Sequence, residues 1–225
     1  MRSYVALVTM LLLAGGASLA QDFDHWSFYG AYQYSRVDSH AAQDALNREH
    51  ALNPSFPALT FGQHLNFNGW DGGLQEDVVN WFGVVIDVSG SYGHNRIQVG
   101  TCTVTVSGTT AAYPACVART NMSFYTFMGG PQFTLRRSDR VQPFLRGLIG
   151  GAWFNSSANL LSENVPLLAE PTRSDQGFSV GGGLGADFFV SRHVGIRVAG
   201  DYIHSAFFND GQNNYRGTAG LVYRF

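Results

Sequence analysis

The chain contains no lysine: all 14 of its basic residues are arginines. It also has only two cysteines, and only 13% of its 225 residues are charged. Each scarcity excludes something. Charge this sparse does not fit a disordered chain or a coiled coil, and a formal net charge of -2 offers no basic field to attract nucleic acid. Beyond the first twenty residues there is no apolar run long enough to cross a bilayer as a helix, which excludes a helical membrane bundle. No cluster of His, Cys, Asp or Glu has zinc-like spacing, so no metal and no cofactor is expected. What the chain does have is 27 glycines, 17 phenylalanines and 10 tyrosines, a combination that points to sheet.

The opening segment has Arg2, an apolar stretch from Tyr4 to Leu13, and Ala17 and Ala20 ahead of Gln21. That is the three-part pattern of an export signal over residues 1–20, with a mature domain over 21–225. Export to an oxidising compartment makes a Cys102–Cys116 disulfide plausible chemistry. Arginine in place of lysine suits charges held away from bulk water, because the planar guanidinium forks onto carboxylates. Coding bias would give the same census, so it gains weight only once the arginines are placed on strands.

Alternation with a period of two recurs along the mature chain. From Tyr215 to Phe225 it sets Tyr215, Gly217, Ala219, Leu221, Tyr223 and Phe225 against Arg216, Thr218, Gly220, Val222 and Arg224. Val194 to Phe207 sets Val194, Ile196, Val198 and Tyr202 against Arg197 and Asp201, and Phe178 to Val190 sets Phe178, Val180, Leu184 and Phe188 against Gly181, Gly183, Gly185 and Asp187. The same plan appears in Ser123 to Arg136, Val141 to Phe154, Trp81 to Tyr92 and Trp26 to Val37, and more weakly in His64 to Val78. These eight strands run about 11 to 15 residues, longer than the five or six of an ordinary strand and long enough to cross an apolar slab at a tilt.

Tight connections at Val79 to Asn80, Arg137 to Arg140 and Ser191 to His193 alternate with long ones at Asp38 to Gln63, Gly93 to Asn121, Asn155 to Asp175 and Phe208 to Asn214. The expected fold is therefore all-β: an eight-stranded antiparallel up-and-down transmembrane β-barrel with both termini on the periplasmic side. A short helix over Ala41 to Ala51 and a hairpin arm over Thr101 to Thr110, stapled by Cys102 and Cys116, are expected within the long connections. The faces turned away from lipid carry Asp87, Gln132, Arg136, Arg146, Asp187, Arg197, Asp201, Arg216 and Arg224, an expected polar network inside a barrel too narrow for a wide pore. Trp26, Trp81, Tyr92, Tyr202, Tyr215 and Phe225 fit aromatic girdles at strand ends.

The last strand, ending in Leu221, Tyr223 and Phe225, resembles the terminal signature by which bacterial outer-membrane proteins are recognised for assembly. Together with the leader and four hairpins it looks like the OmpA-like outer-membrane β-barrel family in its stand-alone form, without the family's peptidoglycan-binding domain. The resemblance implies the bacterial outer membrane as location, and its lipids and the barrel assembly machinery as partners. It also implies a monomer with a structural, envelope-supporting or surface-binding role rather than an enzyme. The external loops are read as a surface for an extracellular ligand of unidentified class, and a very narrow pore is the limiting form of any conduction.

Two other readings compete. His204 and Ser205, with Asp201 or Asp210, look superficially like the His and Ser of outer-membrane lipid-modifying hydrolases. Adjacent strand residues, however, point to opposite faces. A soluble secreted lipocalin-like barrel would also use eight strands, with the aromatics lining its cavity.

Overall fold

The computed structural model describes residues 25–38, 51, 64–106, 109–162, 165–169, 173–207 and 210–225. The export signal at 1–20 and most of the expected helix from Ala41 to Ala51 lie outside these; Ala51 alone is described, as helical. Among the described residues there are nine strands: β1 (Trp26–Asp38), β2 (His64–Val79), β3 (Phe82–Val106), β4 (Thr109–Thr134), β5 (Val141–Ser162), β6 (Val165–Ala169), β7 (Arg173–Phe189), β8 (Val194–Phe207) and β9 (Asp210–Arg224).

Eight of them close a ring in the order β4-β3-β2-β1-β9-β8-β7-β5, sealed by the β4–β5 pairing, and every pairing is antiparallel. The seam is tied at its end by Phe225 N donating to Trp26 O at 2.9 Å and Trp26 N donating to Phe225 O at 3.3 Å. Closure leaves no unpaired edge in the body of the barrel, the condition for placing a sheet in hydrocarbon. One end carries the tight connections: Asn80–Trp81, 135–140 and 190–193. The opposite end carries the long ones.

Several strands are longer than the sequence pattern indicated. Gly93 to Asn121, expected as a long connection with a hairpin arm over Thr101 to Thr110, is ladder almost throughout, with β3 and β4 paired from Phe82↔Phe133 out to Val106↔Thr109. Likewise β5 continues to Ser162, where β6 replaces β7 as its partner, and β9 begins at Asp210 rather than after Asn214. Polar strand residues lack the apolar alternation that marks a lipid-facing segment. They are held instead by the backbone ladder, which a hydropathy pattern does not report. The result is a small sheet, β3-β4-β5-β6, standing beyond the ring at the long-connection end.

The distribution of side chains is inverted relative to a soluble barrel. Facing outward are Phe28, Tyr32, Trp70, Ile86, Phe127, Leu145, Ile149, Phe178, Leu184, Ile196 and Leu221, each at least 45% exposed. Facing inward are Asp87, Gln132, Arg146, Ser179 and Ser205, each no more than 2% exposed. A lipocalin-like cavity needs the reverse, an apolar lumen beneath a wettable exterior. From Tyr215 in β9 to Phe225 just past its end, the apolar face spans eleven residues, whose ten steps amount to on the order of 25 Å at about 3.3 Å per residue and a tilt near 40°. Aromatic rings bound this band. Phe28, Tyr223, Phe225, Trp81, Phe82 and Phe133 cluster near the tight turns, and Trp81 stacks on Phe133 at 6.0 Å. Tyr92, Tyr125, Tyr202 and Tyr215 pair near the other end.

Candidate functional site

The lumen is filled by side chains in tiers. At its centre three carboxylates meet two guanidiniums. Arg146 grips Asp201 with a two-point fork, Nε to Oδ1 and Nη2 to Oδ2, both at 2.8 Å. Arg216 donates from Nε to the same Asp201 Oδ2 at 2.9 Å and reaches Asp87 through Nη1 at 2.8 Å and Nη2 at 3.2 Å. Arg146 Nη1 closes the ring onto Asp87 Oδ2 at 3.1 Å and Tyr29 OH at 2.9 Å, while Tyr29 OH donates to Asp87 Oδ2 at 2.6 Å. A buried guanidinium costs several kcal/mol to dehydrate, and this multiplicity of charge-assisted bonds offsets that cost.

The third acid differs. Asp71 is 2% exposed, and neither of its carboxylate oxygens makes a hydrogen bond; Arg216 Nη1 stands 3.6 Å away. With Asp71, Asp87 and Asp201 against Arg146 and Arg216, the tier carries one surplus negative charge by formal count.

Toward the tight turns, Arg197 forks onto Asp187 at 2.7 and 2.8 Å and lies between two rings, 4.4 Å from the centroid of Tyr29 and 4.7 Å from that of Phe144. Such stacking suits a guanidinium and not an ammonium. Arg197 also donates to Gln75 Oε1 at 3.1 Å, which accepts from Gln132 Nε2 at 2.7 Å, and Gln75 Nε2 continues to Asp77 Oδ1 at 2.9 Å. Arg136 is placed at the rim, pairing with Asp77 and donating to Asn80 O at 2.8 Å. Arg224 is also at the rim, donating to Arg192 O with its guanidinium 4.0 Å from the Phe189 centroid. These two arginines share the inward parity of the others but terminate the lattice rather than join its centre.

Toward the long connections the charges give way to hydroxyl and amide groups: Gln33 with Ser35 and Ser91, Ser89 with Thr126, and Ser179 with Ser205. Beyond them the lumen turns apolar, where Val37, Leu65, Phe67, Met122, Phe124, Ala152 and Phe154 form one buried cluster.

Close approach is built into the sequence at Gly183. A Cβ there would overlap the Asp201 carboxylate and stand 2.8 Å from the Gly200 carbonyl, so only glycine leaves room for the Arg146–Asp201 fork. Tyr29, Asp71, Gln75 and Asp77 belong to the lattice without having been singled out from sequence. Continuing the parity of Leu65, Phe67 and Gly69 through the glycines of β2 would have turned Asp71, Gln75 and Asp77 inward.

The hydrolase arrangement does not assemble. His204 points outward to Asn213 Oδ1 at 2.8 Å, whereas Ser205 is fully buried and accepts from Ser179 Oγ at 2.8 Å. Asp201 is committed to two arginines. The side chains of Asp210, Cys102 and Cys116 lie outside those described, though the ladder puts Cys102 opposite Tyr113 and Cys116 opposite Gly100 on neighbouring strands.

A closed antiparallel ring, a polar lumen and an apolar exterior bounded by aromatics are the features of an outer-membrane type of β-barrel. Solved structures share that fold. Neisserial surface protein A is similar with a TM-score of 0.54 at 10% identity, covering 89% of this chain and 97% of its own. Ail, the attachment invasion locus protein of Yersinia pestis, in complex with the heparin analogue sucrose octasulfate, is similar with a TM-score of 0.51 at 18% identity, covering 90% and 100%. No protein-family model matches the chain, and no curated protein matches it significantly.

Proposed function

We propose that this chain is a resident of the bacterial outer membrane that acts without conducting solutes or catalysing a reaction: a lipid-embedded scaffold supporting the envelope and displaying the β3-β4-β5-β6 sheet at the cell surface. In this reading the tight turns and both termini face the periplasm. The chain is then a monomeric barrel of the OmpA-like kind, delivered by the assembly machinery through Leu221, Tyr223 and Phe225.

The observation that carries the reading is the filled lumen. An ion crossing it would have to part the Arg146–Asp201–Arg216–Asp87 lattice and then pass the apolar cluster around Phe67, Phe124 and Phe154. The first barrier breaks paired charges and the second offers an ion no ligand.

Membrane fractionation combined with heat-modifiable migration in detergent tests the location, and planar-bilayer recording tests the closed state. The expected result is a folded, membrane-fractionating species with no steady conductance. Recovery as a soluble periplasmic monomer overturns the location, and regular unitary currents overturn the closed lumen.

A further inference from the structure

Two neighbouring side chains of the lumen carry oxygens that no donor meets among the described residues. Asp71 is 2% exposed with both carboxylate oxygens unpartnered, and Gln33 is 1% exposed with its Oε1 unpartnered. The register places them together. Gln33 is opposite Gly69, the inward position next to Asp71 along β2, so the two side chains are diagonal neighbours across the β1–β2 pair. The Gln33 amide nitrogen is already spent on Ser35 and Ser91, which leaves the carbonyl end of that amide as the group still to be matched.

A further oxygen adjoins them. Ser89 stands opposite Asp71 on β3, 1% exposed, with its hydroxyl oxygen 2.7 Å from that of Thr126 and lone-pair capacity remaining whichever of the two donates. On the other flank Ala31, opposite Asp71 on β1, offers only a methyl group. The charges facing Asp71 do not satisfy it. Arg216, 3.6 Å away, is committed to Asp87 and Asp201, Arg146 is committed to the same two acids, and those acids repel it. The surplus negative charge of the tier therefore falls on an acid removed from bulk solvent that accepts no hydrogen bond, a costly placement unless a positive charge joins it.

We propose that Asp71, Gln33 and Ser89 form a lumenal binding site for one monovalent alkali cation. Carboxylate, amide carbonyl and hydroxyl oxygens are the ligands a hard cation takes, and such a set lacks the His and Cys spacing that marks a zinc site in a sequence. One positive charge brings the tier to neutrality. A divalent ion instead leaves a surplus positive charge beside Arg146 and Arg216, and calcium asks for about six to eight oxygens, more than this corner supplies. The ion is set in place as the barrel closes, since the apolar cluster around Phe67 and Phe124 covers the lumen on the side of the long connections. This inference rests on the geometry of the lumen and goes beyond the scaffold role.

The test is linkage between sodium and folding. Full-length mature protein is refolded into phosphatidylcholine vesicles and unfolded in urea, once in sodium chloride and once in choline chloride at equal ionic strength, choline being too bulky for a packed lumen. The expected result is a folding equilibrium constant about fivefold higher in about 0.4 M sodium, the factor 1 + [Na⁺]/Kd for a site with Kd on the order of 0.1 M. In Asp71→Asn and in Asp71→Ser that ratio falls to near unity, and in Gln33→Met it falls to less than half. Asp139→Asn, at an exposed tight-turn position, keeps it. Taking the ratio between the two salts within each variant removes any change in stability the substitution causes by itself, and heat-modifiable migration verifies that each variant is folded.

Equal stability of the wild-type protein in sodium and choline overturns the proposal. So does an undiminished sodium response in either folded Asp71 variant, which places the effect elsewhere on the protein or on the lipid. Greater stabilisation by magnesium or calcium than by sodium at equal ionic strength overturns the assignment to a monovalent ion.

Discussion

Two carboxylates in the same tier of the lumen are predicted to respond oppositely to neutralisation. Asp201 accepts three charge-assisted hydrogen bonds, two from Arg146 and one from Arg216, with both guanidiniums 3% exposed or less. Asp201→Ala strands these cations, leaving Arg146 only Tyr29 and Asp87, and Arg216 only Asp87 and the more distant Asp71. Breaking a buried pair by removing one partner costs about 3–5 kcal/mol.

Asp71 has no hydrogen bond to lose. Its attraction to Arg216 at 3.6 Å amounts to about 5 kcal/mol at an effective dielectric constant near 20, which a dehydration cost of several kcal/mol per ion and repulsion from Asp87 and Asp201 largely cancel. Asp71→Asn keeps the shape and takes the tier from one surplus negative charge to none. The expected change is within about 1 kcal/mol of zero, with stabilisation the favoured sign. Urea unfolding of protein refolded into phosphatidylcholine vesicles, followed by tryptophan fluorescence, separates the two values. If Asp71→Asn destabilises as much as Asp201→Ala, hydrogen-bond geometry does not govern the lattice and the reasoning fails.

Gly183→Ala is expected to cost about 1–3 kcal/mol in the same assay by pushing the Asp201 carboxylate out of its fork, and Gly183→Leu to prevent refolding; a neutral Gly183→Ala would show that the fork tolerates displacement. Deleting Phe225 removes the backbone clasp to Trp26 and ring contacts to Phe28 and Tyr223 at 6.3 and 6.1 Å. It is expected to lower the folded, heat-modifiable fraction in cells far more than the refolding yield in vitro, because the proposed reading gives the terminal residue a role chiefly in delivery; equal losses in both would locate its role in stability instead.

What was legible in advance followed from parity. Because a strand turns successive side chains to opposite faces, Leu221 and Arg216, or Phe127 and Gln132, separate into lipid and lumen sides without any coordinates. Eight strands, antiparallel closure and the inward placement of seven of the nine singled-out polar residues rest on that regularity. The aromatic girdles and the separation of His204 from Ser205 rest on it too.

Parity does not say which inward residues meet. Arg146 and Asp87 are 59 positions apart, and Arg216 and Asp87 are 129 apart, so their contact depends on the stagger of strands around the closed ring. The same stagger leaves Asp71 beside Arg216 without a hydrogen bond, slides Arg197 between Tyr29 and Phe144, and sends Arg136 and Arg224 to the rim. Beyond the apolar band the hairpin arm at Thr101 to Thr110 was legible from its threonine and valine alternation, but the continuous strand leading to it was hidden, since the β3–β4 ladder there is held by backbone bonds that polar residues make as well as apolar ones. The absence of lysine, at first only a count, takes its meaning from this level. Alternation alone places cations inside, but the bidentate forks of Arg146 and Arg197 and the two rings around Arg197 are where a planar guanidinium serves and an ammonium does not.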